Sequence, residues 1–257
     1  MNAAPREAPE ELQLTGERTL PGIARENYWF MRHVAAYEHV LPLADGKRVV
    51  DIGCGEGYGP SILSERAASV LGVDIAPEVV EHARSRHGSE TVTFEVMDVN
   101  DLDLDDGSFD LAVSFQVAEH LADEAGYFSE IARVLAPGGT AVLTTPNRLT
   151  ISPGSETPIN PFHLREYTPD EFRAALEEHF GKVRLSGLFH AGWLAVNQRV
   201  RAVDFIKFYE MGPANPRYWT HRLLTPLVRS RDFRIRAGDL AGCLDVVAEC
   251  SSPLGGA

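Results

Sequence analysis

Residues 49–59 read Val-Val-Asp-Ile-Gly-Cys-Gly-Glu-Gly-Tyr-Gly, an apolar run that passes through Asp51 into a loop with glycine at every second position. Glycine has no Cβ and tolerates positive φ, so such a loop lets backbone approach a bound molecule closely. Between a buried strand and a helix, this is where an open α/β sheet holds a nucleotide-like ligand. A dinucleotide fingerprint needs a third glycine three positions after the second. Counting from Gly53 and Gly55, that position is Tyr58, so the dinucleotide pattern fails.

Working outward, the chain alternates strand and helix patterns from Lys47 onward. Strands are predicted at 48–52, 70–74, 91–97, 109–115 and 140–145, with helices at 58–68, 77–87 and 124–135. Pro77 suits a first helical turn and Gly88 a helix end. The helix over 124–135 is expected to stop at Pro137-Gly138-Gly139. A helix at about 170–179, a sixth strand at 182–189 and a last strand over Cys243–Cys250 follow, with Phe233–Arg236 as a hairpin partner of that last strand. Alternation of this length predicts an α/β fold with a mostly parallel sheet, helices on both faces and right-handed crossovers. Upstream, Ala24–Leu41 has helical apolar spacing, and residues 1–15 have a disordered composition. The expected division is a tail and covering helix over 1–43, then one domain over 44–257 with insertions at about 148–168 and 191–232.

The chain has 257 residues and a formal charge of −13, which argues against nucleic acid as a partner. No apolar run approaches the roughly 18 residues of a membrane span. Cys54, Cys243 and Cys250 make neither a disulfide framework nor a metal-type pair, so a reduced, cytoplasmic protein is expected. The acidic residues of the 98–106 loop read as a solvated turn, and no metal is expected.

The loop Asp51-Ile-Gly53-Cys-Gly55-Glu-Gly57 resembles motif I of class I S-adenosylmethionine (SAM)-dependent methyltransferases. Val70-Leu-Gly-Val-Asp74, Met97-Asp98-Val99, the segment Phe109 to Leu121 and Arg133-Val-Leu-Ala-Pro-Gly-Gly-Thr140 resemble the segments that follow it there, in the same order. This likeness spans roughly residues 45–147 and implies a Rossmann-like, seven-stranded, mostly parallel sheet with SAM as cofactor. It implies that Asp51 faces the cationic groups of SAM, with Gly53, Cys54, Gly55, Gly57 and Tyr58 around it. Asp74 and Ile75 would meet the ribose side, a carboxylate accepting from both hydroxyls. Asp98 would accept from the adenine amino group, the Val99 N–H would face the ring, and Gln116 and Val117 would lie under the methionine and ribose portions.

Two flanking pieces, Gly16-Glu-Arg-Thr-Leu-Pro with Glu26 to His33, and Thr145-Pro-Asn-Arg with Pro158 to Tyr167, resemble sugar O-methyltransferases of actinobacterial methylated-polysaccharide synthesis. That resemblance implies a hydroxyl acceptor on a small molecule or oligosaccharide, a helix over the cofactor with Tyr28 closing the pocket, and Arg32 pairing with the methionine carboxylate. A hydroxyl is a poor nucleophile, so a base helps remove its proton. His120, just past the fourth strand at the carboxyl edge, is the first candidate and His163 the second, with Glu119 orienting or structural. A natural-product acceptor, or SAM binding without turnover, stays open. The aromatic residues Trp193, Phe208, Tyr209, Tyr218 and Trp219 would stack on an acceptor, pack the cover or form a homodimer surface.

Overall fold

Alternating apolar residues in the sheet strands point to opposite faces and split the interior into two layers. Val50, Ile52, Ala112, Ala141 and Leu143 pack on one side with Tyr127, Phe128, Ile131, Phe172 and Leu176. Val49, Leu111, Val113 and Val142 pack on the other with Tyr28, Tyr37, Val40 and Leu63. The computed structural model describes residues 19, 21–200 and 214–254. The 1–15 segment, Gly16–Arg18, Leu20, Phe208 and Tyr209 therefore lie outside the described residues.

The elements run α1 (Asn27–Val40), β1 (Arg48–Ile52), α2 (Tyr58–Leu63), β2 (Ser69–Asp74), α3 (Pro77–His87), β3 (Val92–Val96), β4 (Phe109–Phe115), α4 (Glu124–Val134), β5 (Leu135–Pro146), the short α5 (Arg148–Ile151), α6 (Pro169–Glu177), β6 (Phe180–His190), α7 (Gly192–Val200), α8 (Pro216–Leu224), β7 (Phe233–Arg236) and β8 (Asp245–Pro253). The sheet order is β3-β2-β1-β4-β5-β8-β6-β7. The first five strands pair in parallel, and β8 runs antiparallel between β5 and β6. The chain winds outward from β1 to β3 and then restarts at β4 beside β1. Ligands bind at such a switch point, outside the strands' carboxyl ends.

The sheet has eight strands where seven were expected. The eighth is β7, which does not pair with β8 but lies antiparallel on β6, matching Gly187–His190 to Arg236–Phe233. Both sides of β8 are already taken by β5 and β6, so only the outer edge of β6 remains for β7. The Pro137-Gly138-Gly139 segment also departs from expectation. It lies inside β5, in a register shift where Phe109 faces Leu135 and Leu111 faces Thr140. The second helix closes at Leu63, short of residue 68, because Glu65 and Arg66 donate to carbonyls only three positions back and tighten the turn. Helix α6 starts on a capping box in which Thr168 and Glu171 satisfy each other's backbone N–H groups. The inserted region after β6 is helical where described, in α7 and α8.

Candidate active site

At the end of β1, the N–H groups of Gly53 and Cys54 both donate to Val73 O (2.8 and 2.9 Å), turning the chain sharply against β2. Gly53, Gly55 and Gly57 all have positive φ, and a Cβ on Gly53 would stand 2.5 Å from a Val117 methyl. The glycine loop and the turn after β4 thus meet across the switch point. A Cβ on Gly55 would meet nothing within 4 Å. Gly59 serves packing: a Cβ there would fall 2.1 Å from the Tyr37 ring.

That close approach lets Tyr37 reach Asp51. The Tyr37 hydroxyl donates to Asp51 Oδ2 at 3.0 Å, while the buried Oδ1 has no hydrogen-bond partner. Burial raises the Asp51 carboxyl to about 7; the Tyr37 bond opposes the rise and the Asp74 charge adds to it. Asp74 braces the loop, accepting from Gly55 N (3.1 Å) and Ala76 N (3.0 Å). Ile75 beside it is 62% exposed, an apolar side chain left in the open. Asp98 Oδ1 accepts from Asn100 N (2.9 Å) and Val99 is buried. Burial raises the Cys54 thiol, so it behaves as an apolar filler. Tyr58 bonds His33 Nδ1 (3.0 Å) and Thr19 Oγ1 (3.2 Å), tying α2 to α1.

Gln116 adopts φ +59°, a left-handed conformation that costs of order 1–3 kcal/mol in a non-glycine residue. Its backbone N–H donates to Thr144 O (3.0 Å), and its amide donates to Thr144 Oγ1 (3.1 Å) and Asp245 Oδ1 (3.2 Å), which hold the turn in place. The turn then delivers Glu119 and His120. Glu119 is fully buried; its backbone carbonyl accepts from Leu164 N (2.7 Å) and Arg165 N (3.2 Å). Those two bonds pull the loop after β5 back over the site and set His163 beside His120, with ring centroids 5.0 Å apart and nearly perpendicular. Thr145 Oγ1 donates to Glu119 Oε2 (3.1 Å), yet burial still lifts the carboxyl to about 8. A carbonyl can only accept, so the 3.0 Å contact between His120 Nδ1 and Phe162 O places the proton on Nδ1 and the lone pair on Nε2.

Two expectations, those for Arg32 and Tyr28, meet the structure differently. Arg32 pairs with Asp245: Nε donates to Oδ2 (2.6 Å), the second nitrogen bonds Oδ1, and it also reaches Leu244 O (2.9 Å). Both side chains are 3% exposed, so this guanidinium is held by β8. Tyr28 is packed against Trp29 and Phe233 and bonds His190 Nε2 at 2.7 Å, joining α1 to β6. The aspartates of the acidic loop are exposed, as a solvated turn requires, and Arg133 grips it by donating to Leu102 O, Leu104 O and Asp106. Among the described residues, the groups placed to hold a metal are instead Glu119, His120 and His163, whose ligand atoms lie within 4.8 Å of one another. Sequence reasoning missed Tyr37, Asn160, Glu166 and Asp245. Only Tyr37 had a local signal, a glycine at 59 where helix α2 would otherwise carry a side chain.

The methyltransferase domain signature matches residues 50–143, from β1 to β5. A protein of Mycobacterium tuberculosis named "probable S-adenosylmethionine-dependent methyltransferase" is 45% identical over 96% of this chain and 92% of its own length. The chain belongs to the SAM-dependent methyltransferases. A Mycolicibacterium smegmatis protein of the same description is 39% identical, covering 95% of this chain and 97% of that one. The methyltransferase solved with the Haloferax volcanii Trm112 activator superposes with a TM-score of 0.61 over 91% of this chain and 96% of its own, at 20% identity, which speaks for fold alone. The cofactor is SAM, and the site suits it. A buried Asp51 oxygen without a hydrogen-bond partner stands at the head of a glycine loop with open space above Gly55, an anionic setting that suits a positively charged cofactor. No described helix is long and apolar enough to cross a membrane.

Proposed function

We propose that the enzyme methylates a hydroxyl of a sugar or sugar-containing acceptor, with His120 Nε2 receiving the hydroxyl proton. When bound, SAM supplies an activated methyl group and needs no further activation by the protein. Asp51 then pairs with the amino acid ammonium, Asp74 accepts from the ribose hydroxyls, Asp98 and the Val99 N–H meet the adenine, and Gln116 and Val117 lie beneath the chain between them. Their grouping around one switch point supports these roles.

The observation that carries the hydroxyl reading is the fixed tautomer of His120. Its Nδ1–H is tied to the Phe162 carbonyl, which puts the lone pair on Nε2. A base oriented by a third group is what a weakly acidic hydroxyl requires, and positioned proton transfer is worth about 10²–10⁴ in rate. The likeness of the Thr145–Tyr167 flank to sugar O-methyltransferases points to the acceptor class. Incubation with SAM and a panel of mono- and oligosaccharides beside phenolic and amine acceptors, with products located by mass spectrometry, tests it. Methyl groups found only on nitrogen, carbon or phenols would refute the proposal.

A further inference from the structure

Glu119, His120 and His163 come from two loops that share the backbone bonds of the Glu119 carbonyl, and they converge on one point at the carboxyl edge. We infer that these three side chains form a binding site for a zinc-type divalent transition-metal ion, with a coordination position open for the acceptor hydroxyl. The role of that open position rests on the hydroxyl-methylation reading; the ion site itself does not.

The first support is the arrangement behind the imidazoles. Metal-binding histidines donate their other ring N–H to a carbonyl or carboxylate, which fixes the tautomer and ring angle. Both rings here do so. His120 Nδ1 donates to Phe162 O, and His163 Nδ1 bonds Glu166 Oε1, each at 3.0 Å. The His163 and Glu166 side chains are 5% and 1% exposed, so this second pair is sealed from water. Asn160 Nδ2 donates to His163 Nε2 at 2.9 Å, which marks that nitrogen as the one with the lone pair. The Nε2 lone pairs are thus the ones an ion would take, and Asn160 must release its contact when one enters.

The second support is Glu119. It is 0% exposed, its Oε2 is satisfied by Thr145, and its Oε1 is buried with no partner at all. A buried carboxyl oxygen without a partner is costly, and a cation that displaces the proton and binds that oxygen removes the cost. Two nitrogens and one oxygen suit zinc and its neighbours, whereas magnesium and calcium take oxygen ligands. In a filled tetrahedral site the ligand atoms stand about 3.3 Å apart. The trio's ligand atoms, within 4.8 Å of one another at present, draw together when an ion enters.

Three protein ligands leave a fourth position, as in catalytic zinc sites. A hydroxyl bound there becomes far more acidic, as a zinc-bound water does. Its O–H bond then breaks with the electron pair staying on oxygen and the proton passing to bulk water. His120 Nε2 cannot hold the ion and receive the proton together, so the ion takes over the work assigned to His120 in the metal-free enzyme.

Equilibrium dialysis of chelator-stripped full-length protein against Zn²⁺, with metal counted by mass spectrometry, is the test, alongside the visible absorption of the Co²⁺-loaded protein. One ion per chain is expected. Glu119→Gln and His163→Ala should each weaken Zn²⁺ binding by about 100-fold or more, and Glu166→Gln by about 10–100-fold. His82→Ala, whose ring lies by Glu56 away from the trio, should bind as the native chain does. Circular dichroism of each variant separates lost ligands from lost folding, and Glu119→Gln is nearly isosteric. No stoichiometric Zn²⁺, binding that survives both ligand substitutions in folded protein, or preference for Mg²⁺ would overturn the inference. Metal bound as expected while methyl groups appear only on nitrogen or carbon would instead defeat the hydroxyl reading and leave the ion site standing.

Discussion

Asp51 makes cofactor affinity a function of pH, with a slope that can be worked out in advance. Its carboxyl, lifted by burial to about 7, carries an unpartnered oxygen that the ligand's ammonium would meet. Only the ionised form attracts that cation. With a midpoint near 7, about three-quarters of molecules are ionised at about pH 7.5 and about 3% at about pH 5.5. If binding holds Asp51 ionised throughout, affinity should fall about 25-fold between these values, about 1.9 kcal/mol. S-adenosylhomocysteine is the better probe because it keeps the ammonium and lacks the sulfonium. Isothermal titration across the window should give this slope for the native chain and a weak, flat profile for Asp51→Asn. Tyr37→Phe removes the bond that favours the charged form and should move the midpoint upward by about one pH unit. For the free protein the linkage has the opposite sense. The folded carboxyl is raised from 3.8, so its contribution to stability is full below about pH 4 and lost as pH rises through about 7. A change in affinity under about threefold, or an equal slope in Asp51→Asn, would refute the reasoning.

His120→Ala should lower methyl transfer to a hydroxyl by about 10²–10⁴ while S-adenosylhomocysteine binds as before, read by product formation beside calorimetry. Gly59→Ala sets a methyl group against the Tyr37 ring and should cost about 1–3 kcal/mol in denaturant unfolding. Arg32→Met strands a buried Asp245 carboxylate, which should cost about 3–5 kcal/mol and lower the melting temperature by about 6–20 °C in calorimetry. A shift under about 2 °C would mean that the pair is not buried in solution.

The Rossmann-like half of the fold was legible because its signals are local. Strand and helix periods alternate, and the Val49–Gly59 loop sits where the strand order reverses. The positions of Asp51, Asp74, Gln116 and His120 follow from their places at strand ends. What escaped depends on distant partners. Arg32 and Asp245 are 213 positions apart, and nothing near either residue announces the other. His163 was noticed as a single residue, but its link to Glu166 and its place beside His120 follow from the Glu119 carbonyl capturing Leu164 and Arg165. The short β7 was assigned to its sequence neighbour β8 because hairpins usually pair that way, whereas both edges of β8 were occupied.

The clasp between α1 and β8 bears on how the molecule is made. Arg32 leaves the ribosome 213 residues before Asp245, which neutralises it and steadies Gln116. Until β8 slides between β5 and β6, the nascent chain carries an unmatched cation where α1 should dock. The turn that carries Gln116 is therefore completed only after β8 has been translated.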